Sequence, residues 1–323
     1  MLGAGAWGTA IAVALAARCE TVLWARDPAQ GETLRSTRRN ARYLPDAALP
    51  EALAVTSDAR EALQGAALAL VATPMSGLRD TVARLHGLAG GVPVVWLCKG
   101  FEAGSSRLPH EVVDEALPRG TPRGALSGPS FAIEVARGLP CALTLASRDT
   151  GFAKDAAARL HGGRLRVYYT DDLVGVEVGG AVKNVMAIAV GICDGLGLGQ
   201  NARAALITRG LAEIARLGVA LGGSVETLMG LAGAGDLILT ATGDLSRNRR
   251  VGLALARGEG LEAILAGLGH VAEGVRTVAE VVRVAHARAV DMPVSEAVLA
   301  VVEGRLSAPA AAERLLARDP RAE

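Results

Sequence analysis

The chain has 323 residues, a formal net charge of +1 and an apolar fraction of 50%. This length fits two domains of ordinary size, each large enough to bury its own core. The near-zero charge excludes the broad positive field that attracts nucleic acid or an anionic membrane, so any anion must be bound locally. We also expect no membrane-spanning helix, because no stretch of about 20 residues is uninterruptedly apolar.

The cysteines and the first residues indicate a reducing compartment. The four cysteines are Cys19, Cys98, Cys141 and Cys193. They are far apart and form no C-x-x-C pair, which argues against a zinc site and against a disulfide framework. The first residues lack the basic flank and long apolar stretch of a secretory signal. We therefore expect a cytoplasmic protein without a metal site; its oligomeric state stays open, with a homodimer as one alternative.

Residues 1–170 alternate short apolar runs with helical segments, a pattern typical of a parallel sheet covered by helices on both faces. The predicted strands are Glu20–Trp24, Ala54–Thr56, Ala67–Ala72, Val92–Leu97, Gly124–Leu126, Ala142–Ala146 and Leu165–Tyr169. Helices are predicted between several of them, for example over Met75–Leu88 and Leu108–Leu117. The pattern predicts an α/β protein with an N-terminal doubly wound sheet.

After Asp171 and Asp172 the strand signals stop, and alanine, leucine, valine and glutamate recur at helical spacing. This change marks the predicted domain boundary, with the sheet domain over residues 1–170 and an all-helical C-terminal domain over 171–323. The aspartate pair can cap the first long helix, because carboxylates there accept hydrogen bonds from free backbone N–H groups.

The first motif is a G-x-G-x-x-G run of Gly3, Gly5 and Gly8 that opens an apolar helix. Such glycines let the backbone approach a pyrophosphate, which the helix N-terminus stabilises. Arg26 and Asp27 follow the next strand, where Arg26 can meet a 2′-phosphate and Asp27 can accept from a ribose hydroxyl. We therefore predict a Rossmann-type, dinucleotide-binding domain for NAD or NADP. A glycine-rich turn that only closes a helix–sheet contact is the alternative.

The strand that should precede this loop is nearly absent, because only Met1 and Leu2 come before Gly3. Either several residues are missing upstream of Met1, or the first strand is a stub. We favour missing residues, since the loss of a central strand should cost several kilocalories of burial.

The basic residues are 31 arginines and only three lysines, Lys99, Lys154 and Lys183. A guanidinium stays protonated, whereas an amine desolvated among apolar neighbours can lose its proton and act as a base. Lys183 has such neighbours, in Gly-Gly-Ala-Val-Lys-Asn-Val-Met-Ala-Ile (179–188). Composition by itself leaves open that a few lysines simply remain in an arginine-rich chain.

Further polar residues follow predicted strands, where ligands bind in doubly wound sheets. Lys99 follows one strand, and Gly128 and Ser130 follow another in a turn that offers hydroxyls and backbone donors to an anion. Each segment taken alone is compatible with an ordinary loop.

The helical domain carries two more polar segments. A glycine-rich segment places Asp236 in a predicted flexible turn. Ten residues later, Ser-Arg-Asn-Arg-Arg (246–250) would suit a phosphate through charge-assisted hydrogen bonds. A solvated basic helix start is the alternative.

These segments together resemble the bacterial NAD(P)-dependent glycerol-3-phosphate dehydrogenase family over essentially the whole chain. The resemblance is carried by Gly-Ala-Gly-Ala-Trp-Gly (3–8), Leu-Trp-Ala-Arg-Asp-Pro (23–28), Asn40 to Pro45, Cys-Lys-Gly (98–100), Ser-Gly-Pro-Ser-Phe-Ala (127–132), Gly-Gly-Ala-Val-Lys-Asn-Val (179–185), Asn-Ala-Arg-Ala-Ala-Leu-Ile-Thr-Arg-Gly (201–210), Gly-Asp-Leu (235–237), Ser-Arg-Asn-Arg-Arg (246–250) and Val-Ala-Glu-Gly (271–274). The departures are mild: Ala6 stands where many members have serine, and Trp7 where others have a different aromatic residue.

The resemblance implies reversible reduction of dihydroxyacetone phosphate to sn-glycerol 3-phosphate, the backbone of glycerophospholipids. Lys183 would be the catalytic proton donor in reduction and the general base in oxidation, Lys99 would polarise the carbonyl oxygen, and Asp236 would orient Lys183 or a substrate hydroxyl. The implied substrate-binding residues are Lys99, Gly128, Ser130, Lys183, Asp236, Ser246, Arg247 and Asn248, with Arg247 as the main phosphate ligand. The implied cofactor-binding residues are Gly3, Gly5, Ala6, Trp7, Gly8, Arg26, Lys99, Ala132, Arg247, Val271 and Glu273.

Two competing hypotheses are also compatible with the sequence. Hydroxyacid and sugar-nucleotide dehydrogenases also pair a Rossmann domain with a helical one, and only the phosphate-binding segment 246–250 separates them from this family. A cofactor-binding sensor without turnover would need the glycine loop but neither Lys99 nor Lys183.

Overall fold

A computed structural model describes residues 1–268 and 272–317. The chain divides into two compact units. The first, called the sheet unit, contains Met1–Lys99 and Arg107–Val176. The second, called the helical unit, contains Gly100–Ser106 and the chain from Glu177 onward.

The sheet unit alternates strands and helices. Its strands are β1 (Thr21–Trp24), β2 (Arg39–Asn40), β3 (Leu44–Ala48), β4 (Leu53–Thr56), β5 (Ala69–Val71), β6 (Val94–Trp96), β7 (Arg123–Ser127), β8 (Cys141–Ala146) and β9 (Leu165–Thr170). Its helices are α1 (Ala6–Ala16), α2 (Pro28–Thr37), α3 (Ala59–Leu63), α4 (Leu78–Leu88), α5 (Pro109–Ala116), α6 (Ala132–Ala136) and α7 (Thr150–Leu160). All seven predicted strands are present, with ends shifted by at most two residues, because buried apolar runs mark strands well.

A single residue joins the two groups of main strands. β1 pairs with β4, and β5 to β9 form a second group in chain order. Leu2 forms parallel bridges to Trp24 on one side and Val71 on the other. Its N–H donates to the Leu70 carbonyl at 2.7 Å, and its carbonyl accepts from the Ala72 N–H at 2.8 Å. Leu2 therefore occupies the central position between β1 and β5, and an upstream extension of this strand stays a prediction.

The sheet is mainly parallel as predicted, but its strands do not all run in one direction. β5, β6 and β7 are parallel, but β8 runs antiparallel to β7, and β9 is parallel to β8. The physical reason lies in α6, which has only five residues. At about 1.5 Å per residue this helix is too short to carry the chain back along the sheet. The chain therefore enters β8 from the end at which β7 stopped.

The described part of the helical unit contains no strand. Its helices are α8 (Leu173–Gly195), α9 (Gly199–Ala220), α10 (Val225–Met229), α11 (Asp236–Thr242), α12 (Arg247–Ala256), α13 (Leu261–Leu268), α14 (Glu273–Ala287), α15 (Pro293–Val302) and α16 (Ala308–Leu316), of which α8 begins in the sheet unit. A π-helical turn, Leu231–Gly235, precedes α11. Asp172 caps α8 as predicted, since its Oδ1 accepts from the Gly175 N–H at 2.7 Å.

α8 is the described helix that comes nearest to the composition of a membrane span, although Glu177 and Lys183 interrupt its apolar run. This helix has 23 residues, and its mean hydropathy of 1.6 is high enough for a membrane span by length and composition. However, 94% of its apolar window is buried inside the protein. Burial on all sides explains the composition, since a helix surrounded by protein is apolar all round.

α8 and α12 touch backbone to backbone. A Cβ on Gly191 would lie 2.1 Å from the Arg249 carbonyl oxygen, and a Cβ on Gly252 would lie 2.1 Å from the Ile188 carbonyl oxygen. No side chain fits at these distances, so both glycines are required by the close approach.

We expect Gly252→Ala to lower the free energy of unfolding by about 3 kcal/mol, because the new methyl group forces the two helices apart. Gly267→Ala is the matched control, since Gly267 lies in α13 and a Cβ there would have nothing within 4 Å. There alanine should leave stability unchanged or raise it by about 0.5–1 kcal/mol. Urea unfolding of both variants measures the difference, and equal stabilities would refute the close-approach argument.

Candidate functional site

The glycine loop has the geometry of a phosphate cradle. Gly3 has a φ of +117°, and a Cβ on Gly8 would lie 2.0 Å from the Gly3 carbonyl oxygen. Gly5, by contrast, has nothing within 4 Å of its Cβ position and stands at the N-cap of α1 without a side-chain cap. Gly3 and Gly8 thus shape the turn, whereas Gly5 leaves space in front of the first-turn N–H groups, and helix N-termini with such free N–H groups are suited to anions.

Two side chains that the sequence patterns did not single out hold this loop in place. The Asn40 Nδ2 donates to the Ala4 carbonyl at 3.0 Å and to Thr9 Oγ1 at 2.7 Å. The Gln30 Nε2 donates to the same Ala4 carbonyl at 2.8 Å. Asn40 reaches the loop from β2, which pairs with β3 in an antiparallel hairpin. Asn40 lies in a segment of the family resemblance, and that was its only sequence signal.

Polar groups gather at the carboxyl ends of the parallel strands β5, β6 and β7. The Lys99 Nζ donates to the Gly128 carbonyl at 3.4 Å, and the Ser130 Oγ donates to the same oxygen at 2.9 Å. Lys99, Gly128 and Ser130 therefore lie together, after the ends of the neighbouring strands β6 and β7. Within the described residues, two buried hydroxyls nearby, Thr73 Oγ1 and Ser127 Oγ, have no hydrogen-bond partner.

Other predicted cofactor residues lie at helix starts of the sheet unit. Ala6 and Trp7 begin α1, and Ala132 begins α6. Arg26 is exposed, and in the described part of the chain its guanidinium makes no hydrogen bond or ion pair. Asp27 caps α2, because its Oδ1 accepts from the Ala29 N–H at 2.9 Å.

In the helical unit, Lys183 is buried beside a carboxylate. Its side chain is 9% exposed, and the side chain of Asp236 is 1% exposed. The Lys183 Nζ donates to Asp236 Oδ1 at 2.5 Å and to Thr240 Oγ1 at 2.8 Å. The Thr240 hydroxyl donates to the Asp236 carbonyl at 2.6 Å. The cluster fixes the position of the ammonium nitrogen.

Asp236 does not lie in a flexible turn, which corrects the prediction. It is the first residue of α11 and follows the π-helical turn directly. That turn packs on α8, where a Cβ on Gly179 would lie 2.7 Å from the Ala232 carbonyl oxygen. Gly179 is four residues before Lys183 and therefore on the same face of α8. The contact at Gly179 brings Asp236 beside Lys183.

Next to Lys183, two buried asparagines connect three helices. The Asn248 Nδ2 on α12 donates to Asn184 Oδ1 on α8 at 2.9 Å. The Gly274 N–H in α14 donates to Asn248 Oδ1 at 3.0 Å. Asn248, predicted as a substrate ligand, thus uses its carbonyl oxygen and one N–H to hold the helices together.

The first turn of α12 carries three arginines and no acidic residue. Ser246 caps it, accepting from the Arg249 N–H at 3.2 Å. Arg249 is buried and paired with carboxylates, so only Arg247 and Arg250 are exposed. Neither guanidinium group makes a hydrogen bond or an ion pair within the described residues. Ser246 and Arg249 therefore build the helix start and Arg247 is exposed, while phosphate binding by this segment stays a prediction.

The last two predicted cofactor residues lie around the start of α14. Glu273 is its first residue and is half-buried. Val271 lies outside the described residues.

Thr240 was missed in the sequence, although it stands one helical turn after Asp236, a spacing that places both on one face. We expect Thr240→Val to lower the free energy of unfolding by about 1–3 kcal/mol, because a buried ammonium loses an acceptor.

The matched control is Thr242→Val. Thr242 lies in the same helix and is exposed, and its hydroxyl makes the same kind of bond, to the Ile238 carbonyl at 2.7 Å. Its replacement should change stability by less than about 0.5 kcal/mol. Equal effects of the two variants in urea unfolding would contradict the importance of the contact with Lys183.

Known proteins of one family are similar to this chain over its whole length. Residues 1–153 match the family model described as NAD-dependent glycerol-3-phosphate dehydrogenase N-terminus, and residues 172–313 match the corresponding C-terminus. Glycerol-3-phosphate dehydrogenase (NAD(P)+) of Dechloromonas aromatica is 61% identical, over 100% of this chain and 98% of the relative. The protein of the same name from Aromatoleum aromaticum is 57% identical, over 100% and 99%.

A solved structure shows the same fold. The crystal structure of glycerol-3-phosphate dehydrogenase from Coxiella burnetii superposes with a TM-score of 0.93 at 43% sequence identity, covering 98% of each chain. The predicted combination of a Rossmann-type sheet and a helical C-terminal part is confirmed. The resemblance predicted from the motifs is confirmed as well: the chain belongs to the NAD-dependent glycerol-3-phosphate dehydrogenase family.

Proposed function

We propose that the chain catalyses the reversible reduction of dihydroxyacetone phosphate to sn-glycerol 3-phosphate with NADH or NADPH, and so supplies the backbone of glycerophospholipids. The comparisons confirm the predicted class, an oxidoreductase that uses NAD or NADP, because relatives that match over the full chain are named glycerol-3-phosphate dehydrogenase (NAD(P)+). The observation that carries the mechanism is the buried Lys183 ammonium held by Asp236 and Thr240.

Lys183 moves the proton at the C2 oxygen of the substrate. In reduction its ammonium protonates the oxygen that was the carbonyl, and in oxidation the neutral amine removes the proton from the C2 hydroxyl. Asp236 and Thr240 keep the Lys183 Nζ in one position, so the ammonium need not move as negative charge develops on the C2 oxygen. Lys99 acts on the same oxygen, stabilising its negative charge.

The sheet unit has the features that a dinucleotide requires. Gly5 leaves the N-terminus of α1 open, Arg26 is an unpaired cation after β1, and the hydroxyls of Thr73 and Ser127 are buried without partners in the described residues. When bound, the nicotinamide supplies the hydride for C2 or receives it. Gly3, Gly5, Ala6, Trp7 and Gly8 would hold the pyrophosphate side.

The remaining predicted assignments follow from the same proposal. Arg26 would read the adenosine ribose, with or without its 2′-phosphate, and Ala132, Val271 and Glu273 would complete the cofactor site together with Lys99 and Arg247. Gly128, Ser130, Ser246 and Asn248 would shape the substrate site. Residues 1–170 would bind the dinucleotide and 171–323 most of the substrate.

Arg247 is the proposed phosphate ligand. Cations are unfavourable at the positive end of a helix dipole, and the first turn of α12 holds three of them. Arg249 is neutralised by carboxylates, whereas Arg247 is exposed. A dianionic phosphate would satisfy both the exposed guanidinium and the helix start.

The partners and location in the cell are also proposals. We propose a cytoplasmic enzyme that acts on a small phosphorylated substrate and binds neither nucleic acid nor membrane, with a homodimer as one alternative for its oligomeric state. The net charge of +1 and the four cysteines, all free thiols in the structure, support this.

Lys183→Arg should keep the fold and cofactor binding but lower kcat by about 10³-fold, because a guanidinium does not give up its proton at neutral pH. The absorbance of reduced nicotinamide during turnover of dihydroxyacetone phosphate measures this. Lys154→Arg, an exposed substitution in α7, is the control and should leave kcat unchanged. Near-normal turnover of Lys183→Arg would exclude the proton-transfer role.

Arg247→Ala should raise KM for dihydroxyacetone phosphate by about 10- to 100-fold, since a charge-assisted contact is lost. Turnover of unphosphorylated dihydroxyacetone should change far less. Arg257→Ala, at the other end of α12, is the control and should affect neither substrate. Equal losses on the two substrates would remove the phosphate assignment.

A further inference from the structure

A buried carboxylate at the end of α8 holds the start of α12. Asp194 Oδ2 accepts from Arg249 Nε at 2.9 Å and lies 2.7 Å from Arg249 Nη2. Its other oxygen, Oδ1, accepts from Arg203 Nε at 2.6 Å. The side chain of Asp194 is 8% exposed and that of Arg249 is 11% exposed. The hydrogen bond that Arg203 donates to Asp194 raises the pKa of the Arg203 guanidinium.

The same residue of α12 is also fixed through its backbone. The Arg249 carbonyl oxygen lies against Gly191, three residues before Asp194, so closely that a Cβ at Gly191 would be 2.1 Å away. Arg249 is the third residue of α12 and Arg247 the first. The contacts of Arg249 with α8 therefore determine where the first turn of α12 lies.

Electrostatics explains why the buried carboxylate is needed. Three arginines at the N-terminus of a helix repel one another and the helix dipole. Asp194 neutralises the middle cation from inside the protein, where charge interactions are strong. Asp244 also contacts Arg249, at 2.9 Å, but its side chain is 96% exposed, so water weakens that pair.

We propose that Asp194, acting through Arg249, is a positioning residue for phosphate binding: it holds the first turn of α12 in the conformation in which Arg247 binds the substrate phosphate. The inference rests on the proposed function of Arg247 and adds a residue that does not touch the substrate. Without the Asp194 carboxylate, the arginines in the first turn of α12 repel one another, and the Arg247 side chain samples many positions. Binding of the substrate phosphate then weakens, while proton transfer at Lys183 continues.

The test is Asp194→Asn, assayed with dihydroxyacetone phosphate at saturating NADH or NADPH. We expect KM to rise by about 10-fold and kcat to change by less than about 2-fold, because only binding of the phosphate is affected. The inhibition constant of inorganic phosphate, competing with the substrate, should rise by the same factor. Asp244→Asn is the matched control: it removes the exposed carboxylate from the same arginine and should leave both constants within about 2-fold of the original.

A second variant covers the case in which Asp194→Asn does not fold. Arg249→Lys keeps the charge but loses the two-point contact with Asp194, and it should raise KM for dihydroxyacetone phosphate while kcat is retained. Thermal unfolding of all variants shows which of them are folded. A folded Asp194→Asn or Arg249→Lys protein with unchanged KM, or with kcat reduced as much as kcat/KM, would overturn the proposal and leave the ion pair a purely structural contact.

A double variant separates this proposal from the function on which it depends. If Asp194 acts through Arg247, then Asp194→Asn in the Arg247→Ala background should raise KM by less than about 2-fold further. Two independent, multiplicative increases would overturn the positioning role alone. If Arg247→Ala by itself leaves KM unchanged, the phosphate assignment fails, and the inference about Asp194 fails with it.

Discussion

The helical unit is organised around an ammonium group buried in protein. A cation at the depth of Lys183 is tolerated only if a carboxylate and hydrogen-bond acceptors replace the water that it has lost. Asp236 and Thr240 meet this requirement, and both come from α11. The N-terminus of α11 must therefore pack against α8. The π-helical turn before α11 makes this contact, at Gly179 of α8. π-helical turns are rare and occur frequently at functional sites, where they reposition side chains.

α8 combines two properties that conflict in isolation. Its mean hydropathy of 1.6 is that of a membrane span by composition, yet it carries Lys183, Asn184 and Asp194. Each polar group has a partner on another helix: Lys183 on α11, Asn184 and Asp194 on α12. The same contacts that satisfy these groups also hold α11 and α12 in place. In this helix, the requirements of folding and of the proposed chemistry are therefore met by the same hydrogen bonds.

Sequence reasoning succeeded where the signal is local. The strands β1 and β4 to β9 were predicted because buried strands are short apolar runs, and the glycine loop because its spacing is characteristic. The hairpin of β2 and β3 was missed, because a two-residue strand has no periodicity to detect. The direction of β8 was missed as well, since orientation depends on how far the preceding connection reaches. Thr240 could have been predicted from its position four residues after Asp236, because that spacing places both side chains on one face of a helix.

The sequence by itself determined the alternation of strands and helices, the identity of the glycine loop and the family to which the chain belongs, because these depend on residue types at fixed short spacings. Only the tertiary structure decided that Asp236 and Thr240 enclose Lys183, that Asn40 holds the glycine loop and that Asp194 pairs with Arg249. These partners are 31 to 57 residues apart in the chain. At such separations a contact depends on the packing of helices and strands, and in this protein glycines at the closest approaches set that packing.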